Sequence, residues 1–212
     1  MPLYQITNFN DSTQILVWKI TESLEELQDE VLLNDINAIR LNGMKSQMHQ
    51  RAFLSVRKLM LEAGYSDFDL YYDQFGKPYL KDGKHISITH SHEFSAIIIS
   101  DKIVGIDIEL QREKIVLIAD KFVNENELHR LKSKGVQDYI KKLTVKWGAK
   151  ESVFKIRNEQ GISFKNHIWV YPFEINEKKA TALLQMESVK KQFSIHFEEI
   201  ENFTLVYAFE KN

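Results

Sequence analysis

The feature that most constrains the fold is a change of hydrophobic period that occurs twice along the chain. Apolar residues recur at helical spacing across residues 44–63, and across residues 68–109 they recur at every second position, as in β-strands. Residues 138–156 are helical again, and further strand-like segments follow them. Gly64 and Gly161 come after the two helical segments, where a left-handed residue often ends a helix. The chain is therefore predicted to be an α+β protein.

The strands of the second half resemble those of the first. Residues 86–98 and residues 193–207 both read as strand, turn and strand, and both follow a long helix. We interpret this order as two similar α+β halves in a pseudo-twofold arrangement, residues 1–103 and residues 104–212. Any α+β chain can show such an order, so two unrelated halves are the alternative.

Periodicity and turn residues also predict the individual elements. A hairpin turn is expected at Asp101-Lys102, between two apolar strands. The predicted helices are residues 22–33, 44–63, 115–122, 125–132 and 138–156, and the predicted strands are residues 12–19, 68–71, 85–89, 94–100, 104–110, 162–173, 180–186, 193–197 and 205–210.

Composition narrows the class of protein. The 28 Lys and Arg residues nearly balance the 30 Asp and Glu residues, whereas nucleic-acid-binding domains are usually basic. Zero cysteines exclude a disulfide scaffold, thiolate catalysis and cysteine zinc sites. No apolar run approaches the ~20 residues that span a membrane, and the first residues lack the basic start of a signal peptide. We therefore expect a cytoplasmic protein whose partners are neither nucleic acids nor membranes.

The strand at residues 104–110 carries two carboxylates on one face. Side chains alternate along a strand, so Ile106 and Ile108 are expected to point to a core while Asp107 and Glu109 point the other way. Two carboxylates so placed repel each other, and a hard cation relieves that repulsion. The alternative is an amphipathic strand with a solvated acidic face.

The long helix near residue 150 mixes aromatic and charged residues on one stripe. Trp147, Lys150, Glu151, Phe154 and Lys155 stand at helical spacing, so the aromatic rings and the charges share a side. Further lysines of this helix are Lys141, Lys142 and Lys146. Lysines and a carboxylate beside an acidic strand indicate a metal–polyphosphate site. The alternative is an exposed Glu151–Lys155 pair, which stabilises a helix by only about 0.3–0.5 kcal/mol.

Polar residues of the first half suit phosphate. Thr89 and His90 end a predicted strand, and Lys77 lies in a glycine–proline turn. His92 shares a predicted strand face with His90, but a third nitrogen ligand for a transition metal is not nearby. Phosphate contact is therefore the favoured interpretation. Arg51 on the first long helix is a further candidate, with a solvated surface position as its alternative.

These segments together resemble the Sfp-type 4′-phosphopantetheinyl transferases in order and spacing. Thr89 stands where that family usually has serine, which keeps the hydroxyl, and the helix around Arg51 matches less well. The motifs are Phe75-Gly76-Lys77-Pro78, Ile88-Thr89-His90-Ser91, Gly105-Ile106-Asp107-Ile108-Glu109, Phe122-Val123-Asn124-Glu125-Asn126-Glu127 and Trp147-Gly148-Ala149-Lys150-Glu151-Ser152-Val153-Phe154-Lys155.

The resemblance implies a fold and a reaction. The fold would be a pseudo-twofold α+β monomer with coenzyme A in the cleft between the halves. The reaction would move the phosphopantetheine of coenzyme A to a serine hydroxyl of an acyl or peptidyl carrier protein, with release of 3′,5′-ADP.

The resemblance also implies residue roles. Asp107, Glu109 and Glu151 would hold Mg²⁺, with Mn²⁺ as an alternative, and Glu127 would lie near the metal, through a water. Glu151 or a metal-bound water would accept the serine proton, and Lys155 would reach the pyrophosphate, so the catalytic residues are Asp107, Glu151 and Lys155. The ribose phosphate or adenine end is assigned to Arg51, Lys77, Thr89 and His90, and either end to Lys150.

Two other functions stay open at this point. The same carboxylates could serve another metal-dependent phosphotransferase or phosphodiesterase acting on a nucleotide pyrophosphate. A binding module that keeps the fold without catalysis is the third reading, and the intact Asp107, Glu109, Glu151 and Lys155 argue against it. The natural carrier protein is not defined by the sequence.

Overall fold

The structure is a computed structural model that describes residues 2–187 and 189–211. The chain divides into two compact units, Met1–Lys102 and Ile103–Asn212. None of the helices in the described ranges is long and apolar enough to cross a membrane.

From residue 2 onward, the first unit comprises a six-stranded antiparallel sheet and three α-helices. Its strands are β1 Leu3–Asn10, β2 Thr13–Lys19, β3 Leu70–Tyr72, β4 Pro78–Leu80, β5 His85–Ser91 and β6 Phe94–Ser100, and its helices are α1 Leu24–Glu30, α2 Asp35–Asn42 and α3 Gln47–Glu62. The sheet order is β1-β2-β6-β5-β4-β3. Apolar residues of α3 and of the sheet, including Leu54, Leu59 and Ile97, are fully buried in one core.

Over its described residues, the second unit comprises a five-stranded antiparallel sheet, one long α-helix and four short α-helices. Its strands are β7 Val104–Leu110, β8 Ile168–Val170, β9 Lys179–Gln185, β10 Lys190–Ile200 and β11 Phe203–Glu210, and its helices are α4 Lys114–Leu117, α5 Ala119–Phe122, α6 Glu125–His129, α7 Val136–Arg157 and α8 Phe164–His167. The sheet order is β7-β11-β10-β9-β8. Val145, Ala149 and Val153 of α7 pack into the core formed with this sheet.

The two units share a five-stranded topology, to which the first unit adds β1 at one edge of its sheet. In each, the strand before the helices (β2 or β7) pairs with the last strand of a four-strand meander (β3–β6 or β8–β11) that follows the long helix. The predicted α+β class and the internal repeat are thus confirmed, and residues 86–98 and 193–207 are the equivalent strand pairs β5–β6 and β10–β11.

Two predictions about individual segments are wrong. Asp101-Lys102 does not close a hairpin, because β6 pairs with β2 and β5 while β7 pairs with β11 of the other sheet. Residues 162–173 are not one strand, because the Ser163 side chain caps the short helix α8 and only Ile168–Val170 is extended. Gly161 follows the end of α7 as predicted, and Asn158 is the left-handed residue that ends this helix, with φ 48°.

Candidate active site

Strand β7 and helix α7 touch through glycine. A Cβ atom on Gly105 would lie 2.0 Å from the carbonyl oxygen of Ser152, and one on Gly148 would lie 2.7 Å from Cγ2 of Val206. Real Cβ atoms do not approach that closely, so both positions require glycine. The close approach brings the Asp107 and Glu109 face of β7 onto α7.

Both faces of β7 are therefore covered. Ile106 and Ile108 are fully buried, and Asp107 on the opposite face is only 5% exposed. The alternative of a strand with a solvated acidic face therefore does not hold for Asp107. The reason is that Gly105 lets the helix backbone approach that face of the strand.

Lys155 joins the helix to the acidic strand. Its Nζ donates to Oδ1 of Asp107 at 3.0 Å and to the carbonyl oxygen of Ile106 at 2.8 Å. The Lys155 side chain keeps 27% of its surface exposed, so its ammonium group lies at the border between the packed interface and solvent. A lysine so placed can still meet a phosphate.

Glu151 lies within the electrostatic reach of the same group. Burial raises the pKa of its carboxyl, the negative charge of Asp107 raises this pKa further, and Lys155 lowers it. Glu109 accepts a hydrogen bond of 3.3 Å from the indole Nε1 of Trp147, one helical turn before Glu151. The structure thus gathers Asp107, Glu109, Glu151 and Lys155 along one β7–α7 contact.

This group fits Mg²⁺ through its donor chemistry. In the described residues, no three histidine, aspartate or glutamate side chains are already arranged as a metal cage. Mg²⁺ commonly uses one or two carboxylates together with substrate phosphates and waters. Asp107 and Glu151 supply two repelling carboxylates, and Glu109 lies on the same strand face. The fit is therefore to a metal that arrives with a phosphate ligand.

The other lysines of α7 lie elsewhere. Lys142, Lys146 and Lys150 form a stripe of fully buried side chains. Lys150 Nζ donates to Oε2 of Glu127 at 2.7 Å and to the carbonyl oxygens of Phe164 and Ile168 at 2.9 and 2.6 Å. Since an ammonium group has three donors, the predicted contact of Lys150 with coenzyme A is wrong. Lys142, Lys146 and Lys150 therefore do not form a phosphate-binding surface, because their ammonium groups face protein.

Glu127 is part of the buried stripe as well. Its side chain has no exposed surface, and its Oε1 accepts from Lys146 Nζ and from the Val170 N–H, both at 3.0 Å. A carboxylate occupied in this way is not available to a metal, even through a water. The predicted metal-side role of Glu127 is therefore wrong, and its occupied oxygens are the reason.

A group of aromatic rings surrounds Trp147 and Phe154 of α7. The ring of Phe164 on α8 lies 5.7 Å from Trp147 and 5.7 Å from Phe154, measured between centroids, and Phe122 lies 5.1 Å from Trp147. Sequence reasoning missed Phe164, because its segment reads as a strand. The only signal was an aromatic residue shortly after Phe154.

In the first unit, Arg51 and His92 line one pocket of about 250 Å³. Nη2 of Arg51 donates to the carbonyl oxygen of Ile20 at 3.2 Å. The His90 ring lies 6.4 Å from that of His49 on α3. His92 has a φ of 51° in the turn after β5, so the predicted same-face histidine pair is wrong.

The other two candidates of the first unit lie on or next to strands β4 and β5. Thr89 is a buried residue of β5. The backbone N–H of Lys77 donates to Oδ1 of Asp73 at 2.9 Å, which fixes the turn before β4. Burial, and then the charge of Lys77, lower the pKa of His85 at the start of β5. A common coenzyme site of Arg51, Lys77, Thr89 and His90 stays a prediction, as does an active site in a cleft.

Comparison with known proteins adds two findings. The family model of the 4′-phosphopantetheinyl transferase superfamily matches residues 103–208, half of the chain. The chain is also similar to the 4′-phosphopantetheinyl transferase gsp of Aneurinibacillus migulanus, with 30% identity over 128 residues that cover 60% of this chain and 52% of that protein. The chain thus spans about half the length of the curated relative that it matches. The matched region contains β7, α7 and the group built from Asp107 to Lys155, and the chain belongs to the 4′-phosphopantetheinyl transferase superfamily.

Proposed function

We propose that this protein transfers the 4′-phosphopantetheine group of coenzyme A to a serine hydroxyl of an apo acyl or peptidyl carrier protein. The observation that carries the proposal is the Asp107–Lys155 ion pair, with Glu151 in electrostatic reach of both, inside the region matched by the family model. Coenzyme A and carrier proteins occur in the cytoplasm, and the proposal places a monomeric enzyme there.

Mg²⁺ belongs to this proposal, with Mn²⁺ as an alternative. Asp107 and Glu151 would hold it together with Glu109, since all three offer the oxygen donors that a hard cation prefers. When bound, such a cation neutralises negative charge on a pyrophosphate and on its leaving group. The negative charges of Asp107 and Glu151 repel each other, and a cation bound by both would relieve that repulsion.

The residues of the chain can carry the proton and the leaving group. Serine Oγ forms a bond to the phosphorus that bears pantetheine, and the bond from this phosphorus to the bridging oxygen breaks. The carboxylate of Glu151, which the raised pKa makes a stronger base, accepts the serine proton. Lys155 has used two of its three N–H donors on protein oxygens, so the third can donate to the departing phosphate of 3′,5′-ADP.

The remaining candidates of the first unit bind the rest of coenzyme A in this proposal. Lys77 and Arg51 are cations, and Thr89 and His90 supply a hydroxyl and an imidazole, which suit a ribose phosphate. Lys150 has no part in it, because its ammonium group is buried and saturated.

The test is an incubation of the protein with coenzyme A, Mg²⁺ and an apo carrier protein, followed by mass spectrometry. We expect a gain of one phosphopantetheine per carrier and an equal amount of 3′,5′-ADP. Cleavage of coenzyme A without a mass gain on the carrier would favour a phosphodiesterase. Intact coenzyme A with every carrier of a panel would favour a binding module, and both results contradict the proposal.

A further inference from the structure

Glu127 connects three segments of the second unit in a dry environment. Oε1 accepts from Lys146 and from the Val170 N–H of β8, and Oε2 accepts from Lys150 at 2.7 Å. The side chains of Glu127 and Lys150 have no exposed surface. Asn124 caps α6 by accepting from the Glu127 N–H at 3.0 Å, so the carboxylate is fixed from its own backbone as well.

Lys150 transmits this fixation to the neighbouring Glu151. Its ammonium group is bound on three sides, by Glu127 and by the carbonyl oxygens of Phe164 and Ile168. A rotation of α7 about its axis would break all three hydrogen bonds. The buried Lys150 therefore sets the direction in which the side chain of its neighbour Glu151 leaves the helix.

A second connection runs through Phe164. The carbonyl oxygen of Phe164 accepts from Lys150, and its ring packs on Trp147 and Phe154. Trp147 in turn donates its indole N–H to Glu109. The positions of Glu151 on α7 and of Glu109 on β7 thus both depend on the buried ammonium group of Lys150.

The charge of the cluster makes a purely packing role a poor explanation. Two ammonium groups, Lys146 and Lys150, share one carboxylate, and burying ions is so costly that apolar residues of similar volume are often at least as stabilising. Buried ions beside a functional site can have a role other than stabilisation, since residues behind metal ligands orient those ligands.

We propose that Glu127 is a positioning residue of the transfer site, acting through Lys150 on Glu151 and through Phe164 and Trp147 on Glu109. This inference rests on the proposed function and deepens it, because it says what holds the two carboxylates in place. Glu127 touches neither the metal nor the substrate in this role.

The chain offers a matched control on the same helix. Lys142 is as buried as Lys150, but it bonds the carbonyl oxygen of Lys132 and the half-exposed Glu174. It lies two turns from Lys150, on the side away from Glu151. Lys142→Met and Lys150→Met therefore remove the same group from the same stripe at different distances from the site.

The first experiment needs neither metal nor activity. The indole N–H resonances of the three tryptophans are recorded by ¹H–¹⁵N NMR, and that of Trp147 is assigned with Trp147→Phe. In metal-free buffer we expect Glu127→Gln and Lys150→Met to shift the Trp147 resonance, and Lys142→Met to leave it in place. Lys146→Met keeps the Glu127–Lys150 pair, so it should shift Trp147 less than Lys150→Met does. If Glu127→Gln fails to fold, the comparison of Lys150→Met with Lys142→Met decides.

The second experiment titrates the same variants with Mg²⁺ in the presence of coenzyme A. Glu127→Gln and Lys150→Met should need about 10–100 times more Mg²⁺ for half-saturation of the Trp147 shift. Their kcat should fall by a similar factor at temperatures well below their melting points, while KM for the carrier stays within about twofold. Lys142→Met should match the wild type in each measurement, even if its melting point falls.

The outcomes separate this inference from the proposed function. If Lys142→Met and Lys150→Met affect Trp147, Mg²⁺ and kcat equally, or in proportion to their melting points, the cluster is only structural and the inference is wrong. If the wild type transfers nothing to a carrier, the proposed function is wrong. The Trp147 indole resonances of the variants in metal-free buffer then still decide whether Glu127 positions Glu109 and Glu151.

Discussion

At the scale of the residue, Asp107 is both a packed side chain and a candidate ligand. Its Oδ1 accepts from Lys155, and the residue is almost entirely buried. Asp107→Asn keeps the shape and removes the charge, so transfer should be lost. Stability should fall by about 1 kcal/mol, since a hydrogen bond to a charged group is weakened at a partly exposed lysine. Coupled transfer assays and thermal melts check this, with the exposed Asp101→Asn as the control that should match the wild type.

Glu109→Ala removes the other carboxylate of the strand. The side chain is only partly buried, so the fold should survive while transfer is lost. The melt should show a loss no larger than about 1 kcal/mol from the Trp147 hydrogen bond. Near-normal transfer in Mg²⁺ would remove Glu109 from the group of metal ligands.

Glu151 gives a prediction about pH. The pKa of its carboxyl is raised above 4.5 by burial first and by Asp107 second. A carboxyl with a higher pKa in the folded state lowers stability at neutral pH, and this loss disappears as the pH falls through the folded pKa toward 4.5. In metal-free buffer, Glu151→Gln should therefore melt at or above the wild-type temperature at pH 7, and the difference should vanish below about pH 4.5.

The opposite result has a definite meaning. If Glu151 were only an exposed partner of Lys155, its loss would lower stability slightly at pH 7. Suppose instead that Glu151→Gln is less stable than the wild type and that Mg²⁺ and coenzyme A stabilise both proteins equally. This result would contradict a metal site formed by Asp107, Glu109 and Glu151, because stabilisation by a ligand follows its affinity.

At the scale of the element, β7 and α7 could be predicted, whereas their surroundings could not. The alternation along β7 and the helical spacing along α7 placed Asp107, Glu109, Glu151 and Lys155 on facing stripes, as the structure has them. Periodicity marks which residues share a face, and it does not show what covers that face. The carbonyl oxygens that accept from Lys150 belong to residues 14 and 18 positions later in the chain. A local sequence pattern therefore could not predict that this lysine is buried.

The contact between the two elements can be tested at Gly105. A methyl group there would meet the Ser152 carbonyl oxygen at 2.0 Å, so Gly105→Ala should push β7 from α7, lower the melting point sharply and remove transfer. The control is Gly161→Ala, where a Cβ would meet nothing within 4 Å but φ is +82°. That change should cost only the left-handed conformation, about 1–2 kcal/mol, and leave transfer intact. Equal effects of the two substitutions would contradict the close approach.

At the scale of the whole molecule, one topology is used twice with different chemistry. The order of helix and meander was readable from the sequence, because each strand run follows its helix. The pairings of β2 with β6 and of β7 with β11 could not be predicted, since they join residues 75 to 105 positions apart and no local signal specifies them. The carboxylates and Lys155 all lie in the second unit, as does the region matched by the family model.

Carrier docking is the prediction that involves the molecular surface as a whole. Carrier proteins are typically acidic, and the formal net charge of this chain is only -2, so attraction must come from local cations. Several lysines lie between Lys132 and Lys146, but Lys142 and Lys146 are buried and Lys141 pairs with Glu199 at 2.7 Å. Lys132 and Lys134 are the exposed ones.

Two exposed lysines should give a modest electrostatic effect. Raising the salt concentration from low to about 0.5 M should raise KM for the carrier about two- to fivefold, since exposed charges are screened beyond about 8–10 Å already at physiological salt. The double variant Lys132→Glu and Lys134→Glu should raise KM similarly at low salt and lose its salt dependence, while kcat is unchanged. Lys190→Glu, exposed at the start of β10, is the charge-matched control and should behave as the wild type. A carrier KM that is the same at every salt concentration would mean that docking is apolar, because no electrostatic attraction survives such screening unchanged.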